Sequence, residues 1–296
     1  MYRIDKFHNI LRGEIFKMKY FNGLTTVNVE LTNRCNKYCW MCGRRKLEKE
    51  YPEVYKYQED MDFELVKKIA KQLPDNIVVQ FHNNGEGLLY PHFGKAVRLF
   101  NKQIKCLDTN GKLLVDKADE IIDNLDTLTI SVIENDDEGD EQYEIVKQFL
   151  EIKSDKKPFL IYRLLGDVAK FDFDGKYNKY FNERKERWYK LPGIIATRIF
   201  HNPLGSFNYI EKTTKPEIGI CLEILNHLAI RFDGKVSICV RFDPKGNGII
   251  GDINKKSLLD IWNGEKRKKW LKYHIEGKRD KVPLCSKCEY WGIPKG

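Results

Sequence analysis

No apolar run in this chain reaches the roughly 18 residues that a membrane-crossing helix needs. Its first stretch, MYRIDKFHNILRGEIFKMKYFNG, breaks each apolar patch with charge. A transmembrane helix and a secretory h-region are therefore excluded, and the expectation is a soluble, cytoplasmic protein with no membrane partner. Only 25 residues precede the first strand-like run, too few for a separate domain that grips a peptide. Without a signal peptide, the 8 cysteines are better read as reduced thiols or metal ligands than as a disulfide framework. A chain of 296 residues can bury a substantial core, as one large domain or with a small one appended, so a disordered or fibrous chain is not expected.

What is abundant is positive charge. The formal net charge of +9 is spread over lysine-rich surfaces, with small clusters at GRRKLEK (43–49), NERKERWYK (182–190) and GEKRKKWLK (264–272). Such clusters are usually solvated faces. They could also attract an anionic substrate, an acidic peptide, a nucleic acid or an acidic electron donor, and charge alone does not choose.

Short β-branched or apolar runs recur at TVNVEL (26–31), NIVVQF (76–81), QIKCL (103–107), TLTISVI (127–133), PFLIYRLL (158–165) and GIIATRIF (193–200). Helical spacing lies between them: Val66, Ile69, Ala70, Leu73; Phe93, Ala96, Val97, Phe100; Leu114, Ala118, Ile121, Ile122, Leu125; Ile145, Val146, Phe149. Alternation of this kind predicts an α/β fold with right-handed crossovers and a parallel sheet. Six units are too few for an eight-stranded barrel and suit an open, partial (β/α)6 one, whose reactive groups belong at the C-terminal ends of the strands.

On that edge, directly after the first strand, TNRCNKYCWMCG places Cys35, Cys39 and Cys42. Three thiolates on one loop can hold a cube of iron and sulfide while leaving one iron open to a small molecule. A structural zinc site would normally close with four ligands, and no fourth Cys or His lies in the loop; the next histidine downstream is His82.

The CxxxCxxC pattern after the first strand resembles the signature of the radical S-adenosylmethionine (SAM) enzymes, which fold as partial (β/α)6 TIM-type barrels. The resemblance implies that SAM chelates the open iron and is cleaved to a 5′-deoxyadenosyl radical by an electron from a flavodoxin or ferredoxin. NNGEGLLYP (83–91) is similar to the family's GGE-type segment, matched at Gly85 and Glu86, with Asn84 in place of the first glycine of the usual pair. Asn110 in TNG (109–111), Ser131 and Arg163 stand where relatives contact SAM, and Met41 takes a position near the adenine. Ser131 could bond the ribose or carboxylate, and Arg163 could pair with the carboxylate; a local bond and a surface ion pair are the plain alternatives.

A second set of thiols lies towards the C-terminus. Cys221 and Cys239 flank LAIRFDGKVSICV, which reads as a hairpin turning at Asp233-Gly234, and Cys285 and Cys288 form a CxxC. By spacing alone the four suit one zinc ion or one cubane. FDGKVSICV, GIIGDINKKSLLDIWNGEKRKKW and CSKC together resemble the SPASM or Twitch extension of radical SAM enzymes, whose cysteines hold auxiliary [4Fe-4S] clusters. Full SPASM domains need further cysteines after the CxxC, so the shorter Twitch version, with one auxiliary cluster, is expected here. The resulting organisation is an N-terminal extension (1–25), a barrel core (26–210) and a small C-terminal α+β Twitch/SPASM extension (211–296).

The activity implied is an oxidoreductase of dehydrogenase type: a hydrogen atom leaves an unactivated C–H bond, and the auxiliary cluster accepts an electron. The alternative within the family is a maturase of a peptide or protein side chain, working by thioether formation, epimerisation or oxidation. The alternative outside it is a non-catalytic zinc module that binds nucleic acid. The substrate is either a small molecule or a peptide. Cys106 reads as a buried thiol, or as a hydrogen-atom donor if it points into the barrel, and His82 as a packing or substrate contact. Arg198 is a candidate for a substrate oxygen, while Tyr90, Trp262 and Trp291 are expected to pack. The long charged and aromatic connection 166–192 reads as a crossover helix or as a cover for the substrate opening.

Overall fold

A computed structural model describes residues 20–133, 136–166, 186–198 and 220–288, without the side chain of Arg198. Nine strands form one sheet: β1 (Thr26–Val29), β2 (Val78–Gln80), β3 (Ile104–Thr109), β4 (Thr127–Ile133), β5 (Phe159–Leu165), β6 (Ile194–Arg198), β7 (His227–Ile230), β8 (Lys235–Ser237) and β9 (Ile249–Asp252). Their order is β6-β5-β4-β3-β2-β1-β7-β8-β9. The first six pair in parallel with their sequence neighbours, as the alternation of strands and helices predicts.

Strand alternation sorts the side chains into two faces. Val27, Val29, Val79, Leu107, Leu128, Ile130 and Tyr162 are all fully buried in the main core. The intervening residues Asn28, Gln80, Cys106, Asp108, Thr129, Ser131 and Arg163 give the other face a polar lining. Helices pack on the apolar face. Phe63–Ala70 starts at Asp62, whose carboxylate accepts the N–H groups of Glu64 and Leu65 at 2.8 and 3.2 Å, and it buries Leu65, Val66 and Ile69. Gly139–Lys153 buries Val146 and Phe149. The spacing from Leu114 to Leu125 predicts a longer helix than the single turn Ala118–Ile121 that forms. Ile122 turns extended and Asp123 adopts φ +59°, because the chain must bend there to reach β4, and the Asp123 N–H bonds the Lys157 carbonyl at 3.1 Å.

The predicted C-terminal hairpin is β7–β8, paired antiparallel with Gly234 at φ +83° in its turn. Its first strand also does something that spacing does not reveal: β7 lies parallel to β1, from Thr26↔His227 to Val29↔Ile230. The C-terminal unit thus grows out of the barrel sheet. Beyond it, helix Glu265–Ile275 packs on a smaller core of Ile224, Ile238, Trp270, Leu271, Val282 and Leu284, whereas Leu258, Ile261 and Trp262 of the helix Leu258–Trp262 join the main core. Tyr90 and Trp262 pack as expected, at 1% and 0% exposure. Trp291 and residues 167–185 lie outside the described residues, but Trp188 from that connection is buried between Tyr143 and Tyr162, ring centroids 5.3 and 5.4 Å away.

Candidate functional site

The cysteine loop leaves β1 at the C-terminal edge of the sheet and is pinned at both ends. At its root, Arg34 forks onto Asp60, with Nε to Oδ1 at 3.0 Å and Nη2 to Oδ2 at 2.7 Å. At its end, Cys42 is the N-cap of the helix Gly43–Glu50, and the buried Arg44 of that helix donates back to the Asn33 carbonyl. Cys39 and Met41 rest on Ile133 and Leu165, the last residues of β4 and β5. Between the cysteines, the Lys37 ammonium is buried 2.6 Å from Asp136 and 3.2 Å from Glu138. Burial pushes the Cys35 thiol up, and it pushes Cys39 up to about 12, with Cys42 adding to the shift. Such thiols surrender their protons to a metal more readily than to water.

Gly85 shows why this position admits no side chain. A Cβ there would meet the carbonyl oxygens of Thr32 at 2.2 Å and Arg34 at 2.8 Å, so the segment after β2 lies directly against the root of the cysteine loop. The Glu86 N–H donates to the Arg34 carbonyl at 2.7 Å. Its carboxylate, 3% exposed, accepts the Thr109 hydroxyl and the Asn110 N–H, both at 2.8 Å. Burial pushes the Glu86 carboxyl up, and these donors pull it back. Asn110 closes the circle, with its amide donating to Asn36 at 2.8 Å and lying 3.9 Å from the Cys35 sulfur. Asn84, in place of a glycine, gives two N–H groups to the buried Glu30 at 3.0 and 2.9 Å. Glu30 also accepts the Phe232 N–H from the β7–β8 turn at 3.2 Å, which ties the loop region to the C-terminal unit.

On the polar face of the sheet, Arg163 is bound to Asp108 rather than standing free, and it neighbours Ser131 in register. His82 accepts the Asp108 N–H at Nδ1 (3.3 Å), and its Nε2 is 3.5 Å from Oδ2 of the same residue. Burial lowers the His82 value, although Asp108 opposes it. For Asp108 burial acts upward, but His82, Arg163 and Thr129 hold the carboxyl below its usual range. Sequence reasoning missed Asp108, whose signal was a charged residue two positions after Cys106 inside strand β3. Cys106 stands apart. It pairs with Thr127 at the start of β4, two residues below Asp108 and towards the end of the barrel away from the cysteine loop, so it is not brought together with the other candidates. Arg198 closes β6 beside Leu165, and its side chain lies outside the described residues.

Cys221, Cys239 and Cys285 all pack on the smaller core, and Cys288 is buried. Burial, then Cys221 and Cys288, pushes Cys285 up to about 12; burial first, with Cys221 among the lesser causes, raises Cys239 well above the usual thiol range. Arg279 donates to the Cys288 carbonyl at 2.7 Å. Arg267, 2% exposed, holds the helix Leu222–Asn226 behind Cys221 by donating to the Ile224 and Leu225 carbonyls at 2.9 and 3.0 Å. A cavity of about 630 Å³ is bounded by Glu30, Asn33, Arg44, Tyr55, Arg231 and Phe232. A smaller one of about 50 Å³ adjoins it, with Asn84 and Cys239 in its wall.

Among the described residues, no three His, Cys, Asp or Glu side chains converge on a point as ligands of a single ion do. A cube of four irons is held at separate corners by thiolates alone. Three thiols in one loop, and Cys221, Cys239 and Cys285 on the smaller core with Cys288 acting on Cys285, are a donor set that fits it.

Residues 29–158 match the radical SAM superfamily, and residues 221–289 match the SPASM iron-sulfur cluster-binding domain. The S-adenosyl-L-methionine-dependent 2-deoxy-scyllo-inosamine dehydrogenase of Niallia circulans is 25% identical over 88% of this chain and 91% of its own. The tungsten-containing aldehyde ferredoxin oxidoreductase cofactor-modifying protein of Pyrococcus furiosus is 26% identical over 88% and 86%. In fold, the chain is similar to BtrN in complex with AdoMet and 2-DOIA (TM-score 0.53, 20% identity, 90% of this chain and 93% of that one). It is also similar to anSMEcpe with bound AdoMet (TM-score 0.56, 15% identity, 90% and 85%). The cofactors of the two matched families are SAM and two [4Fe-4S] clusters. With three thiols at the mouth of a six-stranded parallel sheet and four more in a hairpin-and-CxxC unit behind it, the chain belongs to the radical SAM superfamily and is a radical SAM enzyme with a C-terminal SPASM domain.

Proposed function

We propose that this enzyme is an oxidoreductase of dehydrogenase type that acts on a small hydroxylated molecule, an aminocyclitol or sugar, with a flavodoxin or ferredoxin as electron donor. The observation that carries this reading is the packing of Cys221, Cys239 and Cys285 on one small core, with Cys288 near enough to act on Cys285. Four thiolates leave no cluster corner open to substrate, which suits electron transfer rather than substrate ligation. The similarity to an inosamine dehydrogenase along most of both chains supports the substrate class.

In this assignment Cys35, Cys39 and Cys42 hold the SAM-binding cluster. Gly85 brings backbone against it, and Asn110 bonds the sulfur of Cys35. Once bound, the cluster and SAM supply the one-electron chemistry that removes a hydrogen atom from an unactivated C–H bond. Ser131 and Arg163 orient polar groups of cofactor and substrate on the inner face. Arg163 does so with a guanidinium already fixed by Asp108, so little side-chain freedom is lost on binding. Loss of a hydrogen atom, a proton and an electron makes the net change a two-electron oxidation of the substrate. Residues 26–210 form the proposed barrel core and 211–296 the auxiliary unit, in a cytoplasmic setting where thiols stay reduced.

The test is anaerobic incubation of the reconstituted enzyme with SAM, dithionite and 2-deoxy-scyllo-inosamine or related cyclitols and sugars. The expected result is 5′-deoxyadenosine and a ketone product in equal amounts. SAM cleavage that requires a peptide or a partner protein's side chain would replace this reading with a maturase.

A further inference from the structure

The lysine cluster around GEKRKKWLK does no work in the assignment above. Between Glu265 and Cys288 the chain carries nine Lys and Arg against three Asp and Glu. Arg267 turns inward, but Lys266, Lys269, Lys272, Lys278, Lys281 and Lys287 are exposed. On the barrel, five lysines are closely neutralised: Lys67, Lys112, Lys117, Lys147 and Lys157 each have a carboxylate within 3.0 Å. On the C-terminal face Glu265 is taken by Lys268 at 3.4 Å, and Glu276 by Lys278 and Lys272 at 3.0 and 3.8 Å. Lys269 and Lys281 instead flank one aromatic ring, with their ammonium groups 5.9 and 5.7 Å from the Tyr273 centroid. Tyr273 in turn packs on the small core that Cys221, Cys239 and Cys285 also contact. Lys287 sits inside the CxxC itself. This lysine-rich face is thus backed by a core that carries auxiliary thiols, with Tyr273 packed on the same core.

We propose that this face, formed by the helix Glu265–Ile275 and the turn Arg279–Lys281, is the docking surface for a small acidic one-electron carrier protein that relieves the auxiliary centre of its electron. The proposal rests on the oxidoreductase reading. Its electron balance closes. The oxidised carrier gains one electron as the auxiliary centre loses one; no bond forms at the interface and no proton moves. Each turnover also consumes one electron at the SAM site, so a carrier reduced at this face is the reductant that the other site needs, and carrier is required only in catalytic amounts. Complementary charge steers such encounters and makes them sensitive to salt.

The test measures binding of an acidic [2Fe-2S] ferredoxin to the anaerobic holoenzyme at roughly 50 and 300 mM salt, spanning the onset of strong screening. The expected result is binding that weakens about tenfold or more with salt and in Lys269→Glu/Lys281→Glu, with an intermediate loss in Lys269→Gln/Lys281→Gln. A barrel control, Lys71→Glu/Lys95→Glu, should bind as the unaltered enzyme does. Unchanged affinity in Lys269→Glu/Lys281→Glu overturns the proposal, as does tighter binding of a single-stranded DNA oligonucleotide at the same face. Iron content confirms that the variants are loaded. Dithionite-driven substrate oxidation reads the oxidoreductase assignment separately and should persist in all of them.

Discussion

Asp108 and Arg163 form an ion pair across two intervening strand ladders of the polar sheet face, with side chains 18% and 27% exposed. Each reaches the other over Thr129 and Ser131 of β4, so the pair braces three adjacent strands.

Asp108→Asn should therefore cost roughly 1.5–3 kcal/mol, the range for a hydrogen bond to a charged group, and Arg163→Lys somewhat less. Because His82, Arg163 and Thr129 hold the Asp108 carboxyl below the usual range, its contribution is complete above about pH 4 and is lost as pH falls through the lower folded value. The melting-temperature gap between the holoenzyme and Asp108→Asn should be constant from about pH 7.5 to 8.5, above the range in which His82, coupled to Asp108, takes up its proton. A gap that narrows over that interval would mean that Asp108 titrates far higher than its partners allow.

Gly85→Ala places a methyl group 2.2 Å from a backbone oxygen that cannot rotate away. The loop root must shift, and Cys35 with it. Iron per chain after anaerobic reconstitution should fall by about half, with the auxiliary thiols still loaded. Full loading in this variant would show that the segment after β2 can yield.

Two cubanes hold about eight irons, and Cys221→Ala/Cys239→Ala should retain about four. Iron, acid-labile sulfide and zinc are counted together. About four irons and one zinc in the unaltered enzyme would leave SAM cleavage standing but remove the electron acceptor, and the dehydrogenase assignment would go with it.

Cys106→Ala should leave SAM cleavage, iron content and product yield within about twofold of the unaltered enzyme, since the thiol lies about 13 Å of strand away from Asn110. Loss of product with SAM cleavage intact would restore the hydrogen-donor role.

The sequence by itself determined what depends on local spacing. Cysteine intervals fix which thiols share a loop, strand and helix periods fix an α/β fold, and Asp233-Gly234 fixes a hairpin, because each is set within a few residues of chain. Only the tertiary structure decided what depends on contacts between distant segments. β7 lies beside β1, some 200 residues earlier in the chain, because the edge of a parallel sheet must be covered and both strands bury one apolar row. Asn84 serves where a glycine was expected, because Glu30 stands ready to receive it and holds the Phe232 turn as well. Arg163 meets Asp108, and Cys106 shares their face of the sheet but sits further down the strand from the cysteine loop. The strand pleat decides which face a residue joins, but register against its neighbours decides whom it meets.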